Sequence, residues 1–302
     1  MVPVFDVIRA LALVAGFAVS QVDRKTAMFA DMAFTSWFGV GAIFFPQFFM
    51  GQQLFSDKTI KDPDNILIYR IFGVHILAPM LLWYSCRKSR DESVIGAMLW
   101  TRSLGLFPML MVMLYGHFTY AKTFTDRHMW FFILFVGCTF VSNVAQLLRT
   151  KPSVGRREQK GPVSVVLRLE FLLMFILGLA SMAFPKQCLT SIIADPKNFQ
   201  LHLERLFGAI SFSQIFLAWF ALSFRDNEDR RRYFCMKLTC TLLGLGCVAC
   251  AFYDGTLNAE RLRVFLLWAI PSVLPAVGLY LLSEGDRATL TSKTYYTRSK
   301  AS

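Results

Sequence analysis

The chain has 302 residues, of which 55% are hydrophobic, 15% aromatic and only 17% charged, and it carries thirty phenylalanines. That is more apolar surface than one soluble core of this length buries, and the apolar runs lack a polar face, so composition excludes an ordinary soluble domain and indicates a membrane protein. The net charge of +12 is spread over short segments between apolar runs, which argues against a nucleic-acid surface.

In chain order, the first apolar piece covers residues 2–19. Residues 10–19 resemble a signal-peptide core and Ala18-Val19-Ser20 a cleavage site. Against that, Asp6 as well as Arg9 precedes the core, and cleavage would leave Arg24 and Lys25 outside. An interfacial or bundle-packed helix is the favoured reading, with an extra span and a signal peptide as alternatives. Eight runs follow that are long enough to cross ~30 Å of hydrocarbon at ~1.5 Å per residue. They lie at roughly 30–49, 66–86, 94–116, 128–148, 164–184, 201–224, 233–253 and 262–282. Each should be a helix, because lipid offers backbone groups no hydrogen-bond partner.

The spans divide the chain into an N-terminal segment (1–28), a four-helix repeat (29–149), a basic linker (150–163) with Pro152, Gly155, Gly161 and Pro162, a second four-helix repeat (164–284) and a tail (285–302). Lys and Arg crowd one side of this layout: Arg24 and Lys25, Arg87, Lys88 and Arg90, Arg149 to Lys160, Arg225 to Arg232, and the tail. The other side holds Lys58, Lys61, Lys122, Arg127, Lys186, Lys197, Arg261 and Arg263. The positive-inside rule then places both termini in the cytoplasm, with anionic inner-leaflet lipid as a partner. The tail residues Arg298 and Lys300 loosely resemble a dibasic endoplasmic-reticulum retrieval signal. An ordinary basic tail is the plainer reading, and endoplasmic reticulum and plasma membrane both remain open.

The division into repeats rests on polar and special residues. Tyr69-Arg70-Ile71-Phe72-Gly73 and Glu204-Arg205-Leu206-Phe207-Gly208 are offset by 135 residues, as are Arg90-Asp91 and Arg225-Asp226, and Arg102 and Lys237. Upstream, Asp31 and Glu170, and Phe45-Pro46 and Phe184-Pro185, are offset by 139. Asp62-Pro63-Asp64-Asn65 and Asp195-Pro196-Lys197-Asn198 read as matching helix starts, with an Asp or Asn cap and Pro in the first turn. Four spans per copy make the repeats parallel, related by an axis along the membrane normal.

Charges inside spans need a partner or a purpose. Their depths predict the ion pairs Asp31–Arg102 and Glu170–Lys237, each pinning the first helix of a repeat to its third. Arg70 and Arg205 sit near the outer starts of their helices, where they snorkel or contact the preceding loop. They are also candidates for an anion or lipid head group. Asn143, Gln146 and Gln214 read as interhelical hydrogen bonds. His75, His117, His128 and His202 have no metal-ligand spacing, so neither a metal nor a cofactor is expected. Seven cysteines, with a Cys247-x-x-Cys250 in mid-helix, read as apolar thiols. No nucleophile-elbow, Walker or dinucleotide motif is present.

Phe184-Pro185 with Gln187, followed by Arg205-Leu206-Phe207-Gly208 and an apolar helix to Trp219, resembles the tumour protein p53-inducible protein 11 family. The first copy matches more loosely, with Ile71 in place of the leucine. That family is a single unit, so the resemblance implies a tandem duplication linked to growth control or cell death, with no catalytic residues to carry over. The expectation is an all-α integral membrane protein of eight transmembrane helices in two parallel four-helix repeats. It would act in regulation or as a scaffold, with protein partners in the membrane. A transporter or channel with a site between the repeats is the alternative, and an intramembrane lipid enzyme the third.

Overall fold

The structure, a computed structural model, describes residues 4–154, 161–190, 192, 193, 195–259, 262 and 270–285. Its elements are α1 (Val4–Ser20), α2 (Arg24–Phe44), α3 (Pro46–Gln53), α4 (Asp57–Ile60), α5 (Pro63–Cys86), α6 (Glu92–Thr119), α7 (Asp126–Thr150), α8 (Pro162–Ala183), α9 (Pro185–Thr190), α10 (Asn198–Ala221) and α11 (Asn227–Tyr253). A 3-10 turn (Ile270–Ser272) leads into α12 (Val273–Gly285). Among the described residues the regular structure is helical, apart from one isolated bridge between Leu54 and Phe124. The first part of the expected last span (263–269), part of the basic linker (155–160), Arg261, Arg263 and the tail with Arg298 and Lys300 lie outside the described residues.

Among the described residues, six helices are long and apolar enough to cross a membrane: α2, α5, α6, α7, α8 and α11. The expected span at 201–224 is present as the 24-residue α10, yet it is not among these six. The reason is its position. α10 packs on α8, α6 and α5, and its Gln200, His202, Glu204, Ser211, Ser213 and Gln214 are all buried. A helix enclosed by protein keeps polar side chains that a lipid-facing helix excludes. The lipid-facing helices show the converse, with Trp37, Phe44, Leu148, Leu172 and Ile176 exposed.

Local chemistry sets the helix starts. Asp23 caps α2, its carboxylate accepting from the backbone N–H groups of Lys25 (2.8 Å) and Thr26 (3.0 Å). Bonds from Thr26 hold that carboxyl below its usual range. Asp62, Asp91 and Asp226 cap α5, α6 and α11 in the same way. The expected matching start at Asp195 is corrected. α10 begins at Asn198 with Lys197 at the cap position, where Gln200 Oε1 accepts from the Lys197 backbone N–H (2.8 Å).

The N-terminal piece is a helix packed on α2 and α7. Its end is tied by Ser20 to Ser142 (2.6 Å) and by Gln146, which donates to the Ser20 carbonyl (2.9 Å). One apolar cluster fills the end of the bundle near residues 83–99 and 217–236, and a second lines the opposite half around Phe49, Tyr69, Met113, Phe124 and Phe199.

Consecutive helices are not always neighbours. α2 packs on α5, and α8 on α10, but α5 then packs on α11 and α10 on α6, while α5 and α6 touch little. The connections meet at both ends. At one end Gln200 Nε2 donates to Asn65 Oδ1 (2.7 Å), and Lys197 lies 3.8 Å from Asp62. At the other, Asp91 accepts from the Arg225 backbone N–H (2.7 Å), and Ser89 donates to Asp229 (2.6 Å).

Candidate functional site

The intramembrane charges define the deepest part of the molecule. Asp31 lies about two turns inside α2 and Arg102 about three turns inside α6, deeper than helices starting at residues 30 and 94 would put them. Arg102 Nε donates to Asp31 Oδ2 (2.6 Å) and Nη2 to Oδ1 (2.8 Å). Thr35, one turn beyond Asp31, accepts from Arg102 Nη2 (2.7 Å) and donates to Asp31 Oδ1 (3.0 Å). This bidentate fork satisfies two charges with fixed geometry. In the other half, Lys237 Nζ lies 3.3 Å from Glu170 Oε1 and donates to Gln214 Oε1 (2.9 Å).

Arg70 and Arg205 are not brought together. Arg205 Nη1 donates to the Tyr120 hydroxyl (2.6 Å) and its guanidinium lies 4.8 Å from the centre of the Tyr115 ring, so it faces the end of α6. Arg70 lies towards Cys247 on α11, and its Nε is buried without a hydrogen bond. Neither of these contacts is to an anion. Asn143 donates within its own helix, to the Thr139 carbonyl (3.0 Å). All seven cysteines are free, Cys247 buried and Cys250 exposed. On α9, outside the spans, burial first and then the nearby Glu204 push the Cys188 thiol up. Among the described residues, no cluster of three or more His, Cys, Asp or Glu could hold a metal.

What the spacing did not reveal is a cavity. Five helices line a partly open cavity of about 80 Å³. Each contributes a stripe at helical intervals: Thr35, Phe38 and Ala42 from α2; Tyr69, Phe72, Ile76 and Pro79 from α5; Arg102, Leu106, Met109 and Met113 from α6. α7 adds His128, Phe132 and Phe135, and α10 adds His202, Leu206 and Ile210. The α5 and α6 stripes each run about 15 Å at ~1.5 Å per residue. The walls are aromatic and aliphatic, with methionines that adapt to irregular shapes. Polar groups gather at the two ends: the Arg102–Asp31–Thr35 fork deep in the bundle, and Gln53, hydrogen-bonded to the Tyr69 hydroxyl, with His128 and His202 at the other.

His202 reaches this wall because α6 carries Gly116 opposite it. A Cβ at Gly116 would collide with the imidazole ring. His128 and His202 come from helices 74 residues apart in the chain, with no common motif. The readable signal was weak: one apolar stripe on each of several helices, together with a charge that has one partner. Its lining has the composition of small-molecule sites, which are mostly apolar with a few convergent polar groups.

A family model described as a domain of unknown function (DUF8292) matches residues 29–280. No curated protein and no solved structure matches the chain.

Proposed function

The chain belongs to the domain of unknown function family DUF8292, and we propose from its own geometry that it is a multi-pass membrane protein holding a lipid-class molecule between its helices. The observation that carries this reading is the aromatic and methionine-lined cavity between the five helices. A scaffold that only pairs helices has no use for such a void, since unfilled apolar space loses packing energy. A channel for ions would call for a polar lining. The polar groups at the two ends are those of a binding site, and a regulatory role follows if occupancy changes what the membrane-facing helices contact. The resemblance to the p53-inducible protein 11 family belongs to this proposal as its regulatory setting.

The proposal includes eight spans in two parallel repeats, with α10 and the segment ending in α12 as the further two, and both termini on the basic side. The supporting observations share the sequence offsets. Phe45 and Phe184 end α2 and α8 with nearly the same backbone angles, φ −127° for both and ψ 49° and 51°. Gly39 crosses Gly73, and Gly178 crosses Gly208, with backbone against backbone. Asn65 and Gln200, 135 residues apart, hydrogen-bond to each other.

Native mass spectrometry of the full chain released from mixed-lipid nanodiscs tests the binding reading. One lipid-sized adduct is expected on the wild type. Leu106→Trp with Met113→Trp, which fills the void, should remove that adduct while the protein stays monodisperse. An adduct that survives filling, or none on the wild type, overturns the proposal.

A further inference from the structure

The deep end of the cavity specifies the charge of its occupant. A guanidinium has five N–H donors. Three are engaged in the fork: one from Nε and one from Nη2 to Asp31, and one from Nη2 to Thr35. The two on Nη1 have no hydrogen-bond partner among the described residues, and Nη1 is not among the sealed polar atoms of the interior. Arg102 lines the void. The same residue also borders a smaller pocket with Met80, Trp83 and Asn143, so the floor of the cavity is a side chain with donors to spare.

The charge of that donor is already balanced. Asp31 sits in a bidentate contact, with 8% of its side chain exposed against 16% for Arg102. An anion placed on Nη1 would give this enclosed, low-dielectric end a net negative charge. A second cation would meet only a carboxylate that is already spent. A neutral oxygen acceptor satisfies Nη1 without adding charge, and the apolar walls above it suit a hydrocarbon body. Resting on the reading of the cavity as a binding site, we propose that the occupant is an uncharged amphiphile whose hydroxyl or carbonyl oxygen accepts from Arg102 Nη1.

A chain-matched probe set tests this on the full chain in nanodiscs: 1-dodecanol, methyl dodecanoate, dodecanoate and dodecane, each titrated against the thermal midpoint and by native mass spectrometry. The alcohol and the ester should bind at least tenfold more tightly than the anion and the alkane. Arg102→Lys, which keeps the charge but removes the second nitrogen of the fork, should bring the alcohol down to the level of the alkane. Asp31→Asn, which leaves Arg102 unbalanced, should invert the preference so that dodecanoate binds best, an outcome that a purely structural ion pair would not produce. Wild-type selectivity decides the matter even if a variant fails to fold. Equal binding of alkane and alcohol, or tighter binding of the anion to the wild type, overturns this inference and leaves the binding site standing. Absence of binding by all four probes overturns both.

Discussion

At the scale of single residues, the two ion pairs Asp31–Arg102 and Glu170–Lys237 meet the cost of charge in hydrocarbon, each charge having an opposite partner within reach. Glu170 and Lys237 are both almost completely enclosed, with Gln214 as the third member. Removing one partner leaves an uncompensated group, whereas removing both leaves an apolar contact, and the two cases differ by several kcal/mol where the pair is dry. Lys237→Met alone should destabilise the protein by about 3 kcal/mol. Glu170→Leu with Lys237→Met should restore most of that loss, read as thermal midpoints in detergent. A double variant no more stable than the single would discard the coupling. Asp31 with Arg102 and Glu170 with Lys237 could be paired from sequence because charge is rare in spans and depth can be counted. His128, His202 and Tyr69 could not be placed together, because nothing in a histidine's or tyrosine's own neighbourhood states which cavity it faces. Arg70 and Arg205 occupy matching positions in sequence but differ in surroundings, one towards α11 and the other held by two tyrosines.

At the scale of elements, close helix crossings depend on glycine where backbone meets backbone. A Cβ on Gly208 would lie 2.7 Å from the Gly178 carbonyl oxygen and 2.9 Å from the Met182 backbone nitrogen, neither of which can swing aside. Helix packing in membranes uses small residues for this purpose. Gly208→Ala should therefore cost about 1–3 kcal/mol by overpacking. Gly246→Ala, with nothing within 4 Å of the added methyl, should be neutral or slightly stabilising through helix propensity. Comparable losses at both sites in thermal unfolding would refute the crossing. Apolar length revealed most of the helices, but their boundaries followed caps. α2 starts six residues before its apolar run because Asp23 caps it, and α10 starts at Asn198 although Asp195 has the better capping side chain. The short α3 and α9, opened by Pro46 and Pro185, are too brief to show an apolar period of their own.

At the scale of the whole molecule, the halves are entwined. α5 packs on α11 and α10 on α6, so helices from the first and second halves of the sequence share one core. Fragments 1–158 and 159–302 expressed apart should aggregate or be degraded, whereas co-expression should give a one-to-one complex that co-purifies. A monodisperse, thermally cooperative half on its own would contradict the interlocking. Sequence alone determined that the chain is apolar and helical, which residues punctuate it and which charges must be neutralised inside, because these follow from local composition and the cost of burying polar groups. Tertiary structure alone decided that polar α10 lies at the centre, that α6 and α11 pack on helices distant in sequence, and that five stripes leave a cavity with Arg102 in its wall. Each of these depends on which helix faces surround a given volume, and that is a property of packing which no segment carries by itself.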